Sequence, residues 1–192
     1  MKRIFLFILI PFIWVACTQN QNNQEKQGNN EDKQSQKEVE ADIKASTRIS
    51  KGQKVPEFTF TTTRGKELST ESLRGKVVLY NFFATWCPSC MKEMPALQDQ
   101  VWKKYGNNED FFMVSIGREQ NMKKMETFKK EKGYDFHFAP DTGRVIYGKF
   151  AEKYIPRNVV VNKEGTIVYQ NTGYTEEEFQ NMMAVIEEEM ED

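Results

Sequence analysis

The spacing of apolar and polar positions changes several times along the chain, and each change predicts an element. Val77-Val78-Leu79-Tyr80-Asn81-Phe82-Phe83 is a near-continuous apolar run after Gly75-Lys76, the pattern of a strand buried on both faces of a parallel sheet. Past Cys90, the side chains Met94, Leu97, Val101 and Tyr105 recur at helical spacing and stop at Gly106. A helix is therefore expected directly after that strand, kinked at Pro95. Phe111 to Ile116 is a second apolar run, followed by a second helical stripe of Met122, Met125 and Phe128 that ends at Gly133. Tyr134, Phe136 and Phe138 alternate as in a half-exposed strand, which turns the single histidine, His137, toward the surface. Val159 to Val161 and Thr166 to Tyr169 predict two strands paired antiparallel through the turn residues Asn162-Lys163-Glu164-Gly165. Thr175 and Glu178 form a capping box ahead of Phe179, Met182, Met183, Ile186 and Met190, one face of a last helix. Helices alternating with strands, then a closing hairpin and helix, predict a three-layer α/β/α fold on a mixed central sheet.

This patterning begins near Lys51, so residues 51–192 are expected to form one domain. Ahead of it, Met1-Lys2-Arg3 precedes a charge-free run from Ile4 to Ala16. That run falls short of the ~20 residues of a membrane span and fits the core of an export signal, so residues 1–16 are read as a signal peptide. The run closes on Trp14-Val15-Ala16-Cys17, which resembles the lipobox of bacterial lipoproteins with Trp14 where Leu is usual. The resemblance implies a lipid on Cys17 and a membrane anchor facing the periplasm or outer cell-envelope space. From Thr18 to Glu38 there is no aliphatic or aromatic side chain, hence nothing to bury against ordering entropy. Residues 17–50 are expected to be a disordered tether behind the lipidated cysteine.

Composition removes several classes of function. The chain of 192 residues carries 27 basic and 28 acidic side chains, so no basic footprint exists for nucleic acid. With three cysteines and one histidine, neither a disulfide-dense scaffold nor a four-ligand zinc site of the usual kind is expected. No metal and no organic cofactor are predicted. If Cys17 is consumed by lipid, the remaining thiols are those of Trp86-Cys87-Pro88-Ser89-Cys90. At the junction of buried strand and helix, Cys87 falls at a helix N-terminus, where free backbone N–H groups and the helix dipole favour a thiolate. Cys87 is thus the candidate nucleophile. Cys90, one turn on and deeper, is placed to attack a mixed disulfide on Cys87 and resolve it. Glu93 lies one further step along the same face, and neither Ser89 nor Leu97, four residues to either side, offers it a cation. A carboxylate there raises the thiols' pKa and can take or give a proton during exchange.

The segment from Gly75 to Pro95, ending in Trp86-Cys87-Pro88-Ser89-Cys90-Met91-Lys92-Glu93-Met94-Pro95, resembles the TlpA/ResA group of exported, thioredoxin-like thiol-disulfide oxidoreductases, whose pattern is W-C-x-x-C-x-x-E-x-P. Val55-Pro56-Glu57-Phe58 and Tyr154-Ile155-Pro156 extend the similarity over the whole patterned region. The resemblance implies a thioredoxin-like fold, Cys87 and Cys90 as the reacting pair, Glu93 as the group that tunes them, and Pro156 as a cis-proline against the disulfide. Trp86, Pro88, Ile155 and Arg157 are then expected to line the substrate groove. Two positions depart from the family: Phe83 stands where Trp is common, and Arg157 where Thr follows the cis-proline. A cation beside the groove could favour thiolates or acidic substrates.

The resulting expectation is a monomeric, membrane-tethered oxidoreductase that reduces protein disulfides and is itself re-reduced by a membrane-bound thiol donor. Cytochrome c maturation is the process in which such family members often serve. A peroxiredoxin-like peroxidase is one rival, although Thr85 lies one residue too near Cys87 for the P-x-x-x-T-x-x-C pattern. A copper carrier or chaperone-like binding module using soft thiolates is another, although the cysteine spacing is one residue short of that usual in copper carriers of this fold.

Overall fold

The computed structural model describes the backbone of residues 21–191 and the side chains of residues 34–191. Residues 1–16, read from the sequence as a signal peptide, and Cys17, the expected lipidation site, lie outside the described residues. In chain order the elements are α1 (Gln21–Ser46), β1 (Thr59–Thr61), β2 (Glu67–Ser69), β3 (Val77–Phe83), α2 (Pro88–Ala96), a π-helical stretch (Leu97–Trp102) running into α3 (Lys103–Tyr105), β4 (Phe111–Arg118), α4 (Met122–Lys132), β5 (His137–Asp141), α5 (Tyr147–Phe150), β6 (Arg157–Val161), β7 (Ile167–Thr172) and α6 (Glu176–Glu191). A compact unit runs from Asp42 to Asp192 and takes in residues ahead of the apolar pattern that begins near Lys51. The polar segment expected to be a tether carries α1. Its Gln, Glu and Lys residues are good helix formers and no proline interrupts them.

Five strands make the central sheet in the order β5-β4-β3-β6-β7. β3, β4 and β5 run parallel, whereas β6 is antiparallel to β3 and β7 antiparallel to β6. This is the mixed sheet expected from the alternation of helices and strands followed by a hairpin. All seven residues of β3 are buried, because the chain covers both faces of that central strand. On one face Val77, Leu79 and Phe83 pack with Met94 and Leu97 from the α2 side, Phe128 of α4, and Phe179, Met182 and Ile186 of α6. On the other, Val78, Tyr80 and Phe82 pack with Phe58, Phe60 and Leu68 around the β1–β2 hairpin and with Tyr147 and Phe150 of α5. Each fully buried aliphatic or aromatic side chain contributes about 1.5–3 kcal/mol.

Local chemistry sets the ends of these elements. Asn121 caps α4 by accepting from the Lys124 N–H at 2.9 Å, and Gly133 terminates it in the left-handed region at φ 69°. A Cβ on Gly117 would run into the thioether of Met125, so glycine leaves that α4 side chain its place against β4. Immediately after Pro95 the α2 helix widens into the π-helical stretch, the local disturbance that an internal proline brings. Thr175 Oγ1 accepts from the Glu178 N–H at 3.2 Å, one half of the predicted capping box. His137 is not a plain surface residue: its ring stacks on Phe112 at 4.9 Å and meets Trp102 edge-on. Burial, and then Arg64, Lys129 and Lys66, push it down to about 4.

Candidate functional site

The turn from β3 into α2 presents the dithiol segment. Cys87 occupies the N-cap of α2 with extended backbone, and Pro88 takes the first helical position, where a missing N–H is harmless. Cys87 and Cys90 are joined as a disulfide with Cα atoms 5.3 Å apart. Cys87 Sγ accepts from the Cys90 N–H at 3.2 Å, so the sulfur already lies where α2 offers its free donors. Cys90 is wholly buried and Cys87 is 4% exposed, the order of depth expected of a resolving and an attacking thiol. Gln120 braces the turn from β4's far end, donating to Thr85 Oγ1 at 2.8 Å and accepting from the Thr85 N–H at 3.3 Å.

Across from this turn stands the Tyr154–Arg157 loop. The Ile155–Pro156 peptide is cis, and the Ile155 carbonyl oxygen lies 3.7 Å from Cys87 Sγ. Trp86 is 63% exposed beside the dithiol, with the Arg118 guanidinium 6.0 Å from its ring centre. Trp86, Pro88, Ile155 and Pro156 are thus brought together around Cys87. Arg157 is not. One residue beyond the proline, the strand's alternation turns its side chain to the opposite face of the sheet, where it is 1% exposed and donates to Thr47 Oγ1 at 3.1 Å and Gln170 Oε1 at 3.4 Å. No cation from Arg157 therefore faces the groove.

Glu93 is 1% exposed on the inner face of α2. Its Oε1 accepts from Asn158 Nδ2 at 2.6 Å and its Oε2 from Asn81 Nδ2 at 2.9 Å. Asn81 Nδ2 also donates to Asn158 Oδ1 at 2.8 Å, while Ser115 Oγ donates to Asn81 Oδ1 at 2.8 Å. The hydroxyl thereby orients the amide so that its NH2 group points at the carboxylate. Register explains the cluster, because Asn81 pairs with Ser115 on β4 and with Asn158 on β6. Burial pushes the Glu93 carboxyl up to about 7, and the Asn158 and Asn81 hydrogen bonds restrain the rise. A carboxyl titrating there, beside a dithiol, can exchange protons at neutral pH. The sequence reading missed Asn81, Asn158 and Ser115; a small polar residue in or next to the apolar run of each of β3, β4 and β6 was the available signal.

Among the described residues, no group of three or more His, Cys, Asp and Glu side chains is arranged to hold a metal ion. None of their helices is long and apolar enough to cross a membrane.

The Redoxin family profile matches residues 50–186. The chain belongs to that family. Thiol-disulfide oxidoreductase ResA of Bacillus subtilis (strain 168) is 30% identical over 125 residues, which are 65% of this chain and 69% of that protein. Among solved structures, a proposed protein disulfide isomerase from Bacteroides thetaiotaomicron superposes with a TM-score of 0.73 at 37% identity, covering 77% of this chain and 94% of that one. A thiol:disulfide interchange protein of the thioredoxin family from Chlorobium tepidum gives 0.59 at 26% identity, over 72% and 98%. The chain is thus a thioredoxin-like protein of the TlpA/ResA kind, as its W-C-x-x-C-x-x-E-x-P segment predicts, and its enzyme class is that of the thiol-disulfide oxidoreductases.

Proposed function

We propose that this redoxin-family protein is an exported, membrane-tethered reductase of protein disulfides, with Cys87 as nucleophile, Cys90 as resolving thiol and Glu93 as their proton partner. The observation that carries the reading is the capped sulfur: Cys87 Sγ accepts a backbone N–H at the start of α2 while the Ile155 carbonyl of the cis-proline loop faces it. In the reduced protein the Cys87 thiolate attacks one sulfur of a substrate disulfide. A mixed disulfide forms, the substrate's S–S bond breaks, and the first substrate thiolate leaves and takes up a proton. Cys90 then loses its proton to Glu93, attacks Cys87 Sγ and expels the second substrate thiolate, leaving the Cys87–Cys90 disulfide seen in the structure. Two electrons pass to the substrate, and a membrane-bound dithiol donor restores the pair. Pro88 and Ser89 supply no cationic or imidazole side chain to stabilise the Cys87 thiolate strongly, which favours reduction over oxidation.

Cys17 as lipid attachment site and apocytochrome c as substrate belong to the same reading. A Cys90→Ala variant expressed in its native envelope tests it, since it cannot resolve and should hold substrates as mixed disulfides on Cys87. Recovery of exported cysteine proteins, released by reductant, is the expected result. An empty trap, with Cys87 of the reduced protein alkylating no faster than an ordinary thiol, would sink it.

A further inference from the structure

The loop that faces Cys87 is held from behind by a part of the chain that lies outside the apolar pattern. Residues 46–49 run antiparallel to the segment just before the loop: Thr47 bridges Ala151, the Glu152 N–H donates to the Ser46 carbonyl at 2.8 Å, and the Arg48 N–H donates to the Phe150 carbonyl at 2.9 Å. Side chains extend this contact into the loop itself. Tyr154 Oη donates to Asp42 Oδ2 at 2.5 Å, and Lys153 Nζ lies 3.2 Å from both oxygens of Asp42. At the loop's other end Arg157 Nη2 donates to Thr47 Oγ1. The Tyr154 and Lys153 contacts hold the Asp42 carboxyl below its ordinary range.

Both ends of a four-residue loop are thus tied to one short segment, and between the ties sits Ile155, whose carbonyl touches the reactive sulfur. Tyr154 itself has φ 68°, a left-handed conformation that non-glycine residues adopt at a cost and that persists where surrounding contacts over-determine it. The hydrogen bond from its hydroxyl to Asp42 is one such contact.

We propose that residues 42–49 are a positioning strap, which fixes the Tyr154–Arg157 loop against Cys87 so that docking of protein disulfides, as distinct from the chemistry of the thiol, depends on this segment. The proposal rests on the dithiol reading above. A protein substrate must settle against the surface that Cys87 and Ile155 form together, whereas a small alkylating agent needs the sulfur alone. Asp42 and Tyr154 act through each other and are positioning residues.

The test uses the full chain and three measurements on Asp42→Ala, Tyr154→Phe and the double variant: KM and kcat for insulin reduction, the alkylation rate of Cys87 by iodoacetamide, and amide hydrogen exchange of Lys153, Tyr154, Ile155 and Arg157. Each single variant should raise KM for insulin about fivefold and speed exchange at Tyr154 and Ile155 by a similar factor, the size expected for loss of one hydrogen bond. The double variant should do no more than Asp42→Ala alone, alkylation should stay within about twofold, and Asp42→Asn, which keeps an acceptor for Tyr154, should bring KM and exchange most of the way back to wild type. Unchanged KM with unchanged exchange overturns the strap, as do additive effects of the two variants or an alkylation rate that falls by the factor that KM rises. If the wild type fails to reduce insulin, the dithiol reading falls, while the exchange rates at Tyr154 and Ile155 still decide whether the segment holds the loop.

Discussion

Two ionisable side chains are sealed on opposite faces of the sheet, and the structure treats them in opposite ways. Glu93 packs against Asn81 and Asn158, which give it a donor for each oxygen. Arg157, the neighbour of Asn158 on β6, turns to the other face and meets one hydroxyl and one amide oxygen; its Nε has no partner, and among the described residues no carboxylate is within ion-pair distance of it. A carboxyl group can shed its charge when burial makes that charge costly, but a guanidinium cannot. The α2 face therefore responds to pH near neutrality, whereas the α5 face buries a guanidinium with only two hydrogen-bond partners.

The largest expected consequence is in stability. Glu93 titrates at about 7 in the folded protein against an ordinary 4.5, so the folded state retains a proton that the unfolded chain has already lost. Stability from this group is complete below pH about 4.5 and declines as pH rises to about 7, by about 3 kcal/mol in all. Denaturant unfolding of Glu93→Gln across that window should show a curve flatter by this amount, and equal curves would mean that burial does not raise the carboxyl. Next comes activity. Glu93→Gln removes the proton acceptor for Cys90, so kcat/KM for insulin reduction should fall about 100-fold and lose its inflection near neutral pH. A third change sharpens the contrast, since Asn158→Leu takes one donor from the carboxylate and should move that inflection upward by about one pH unit. A downward move would show that the amide stabilises the protonated form. The smallest effect belongs to the other face. Arg157→Met keeps most of the volume and exchanges two hydrogen bonds for relief of an uncompensated buried charge, so unfolding free energy should change by less than about 1 kcal/mol, with the pH inflection unmoved.

How much of this was legible in the sequence follows from how local each feature is. The path from Val77 through the cysteines to Tyr105 is contiguous, and its apolar spacing, capping cysteine and halting glycine all act within a few residues of one another. The β6–β7 hairpin and α6 were visible for the same reason. Asn81, Ser115 and Asn158 lie on three strands far apart in sequence, and only parallel pairing of β3 with β4 and antiparallel pairing with β6 aligns them. The position of Arg157 was misread because its nearness to Pro156 in sequence suggested the groove, whereas one step along a strand reverses the face. The segment 42–49 carries too few apolar residues to stand out. Its attachment is made mostly by backbone and polar groups, whose partners a one-dimensional pattern does not reveal. The short β1–β2 hairpin escaped likewise, with three residues per strand and one buried side chain in each.

Trp86 gives the protein a built-in optical reporter. Its largely solvent-exposed indole is bonded in sequence to the residue whose sulfur alternates between disulfide and thiol, and a neighbouring disulfide quenches indole emission where a thiol does so less. Turnover can therefore be followed by fluorescence in the unlabelled chain, with the emission rising as the pair is reduced.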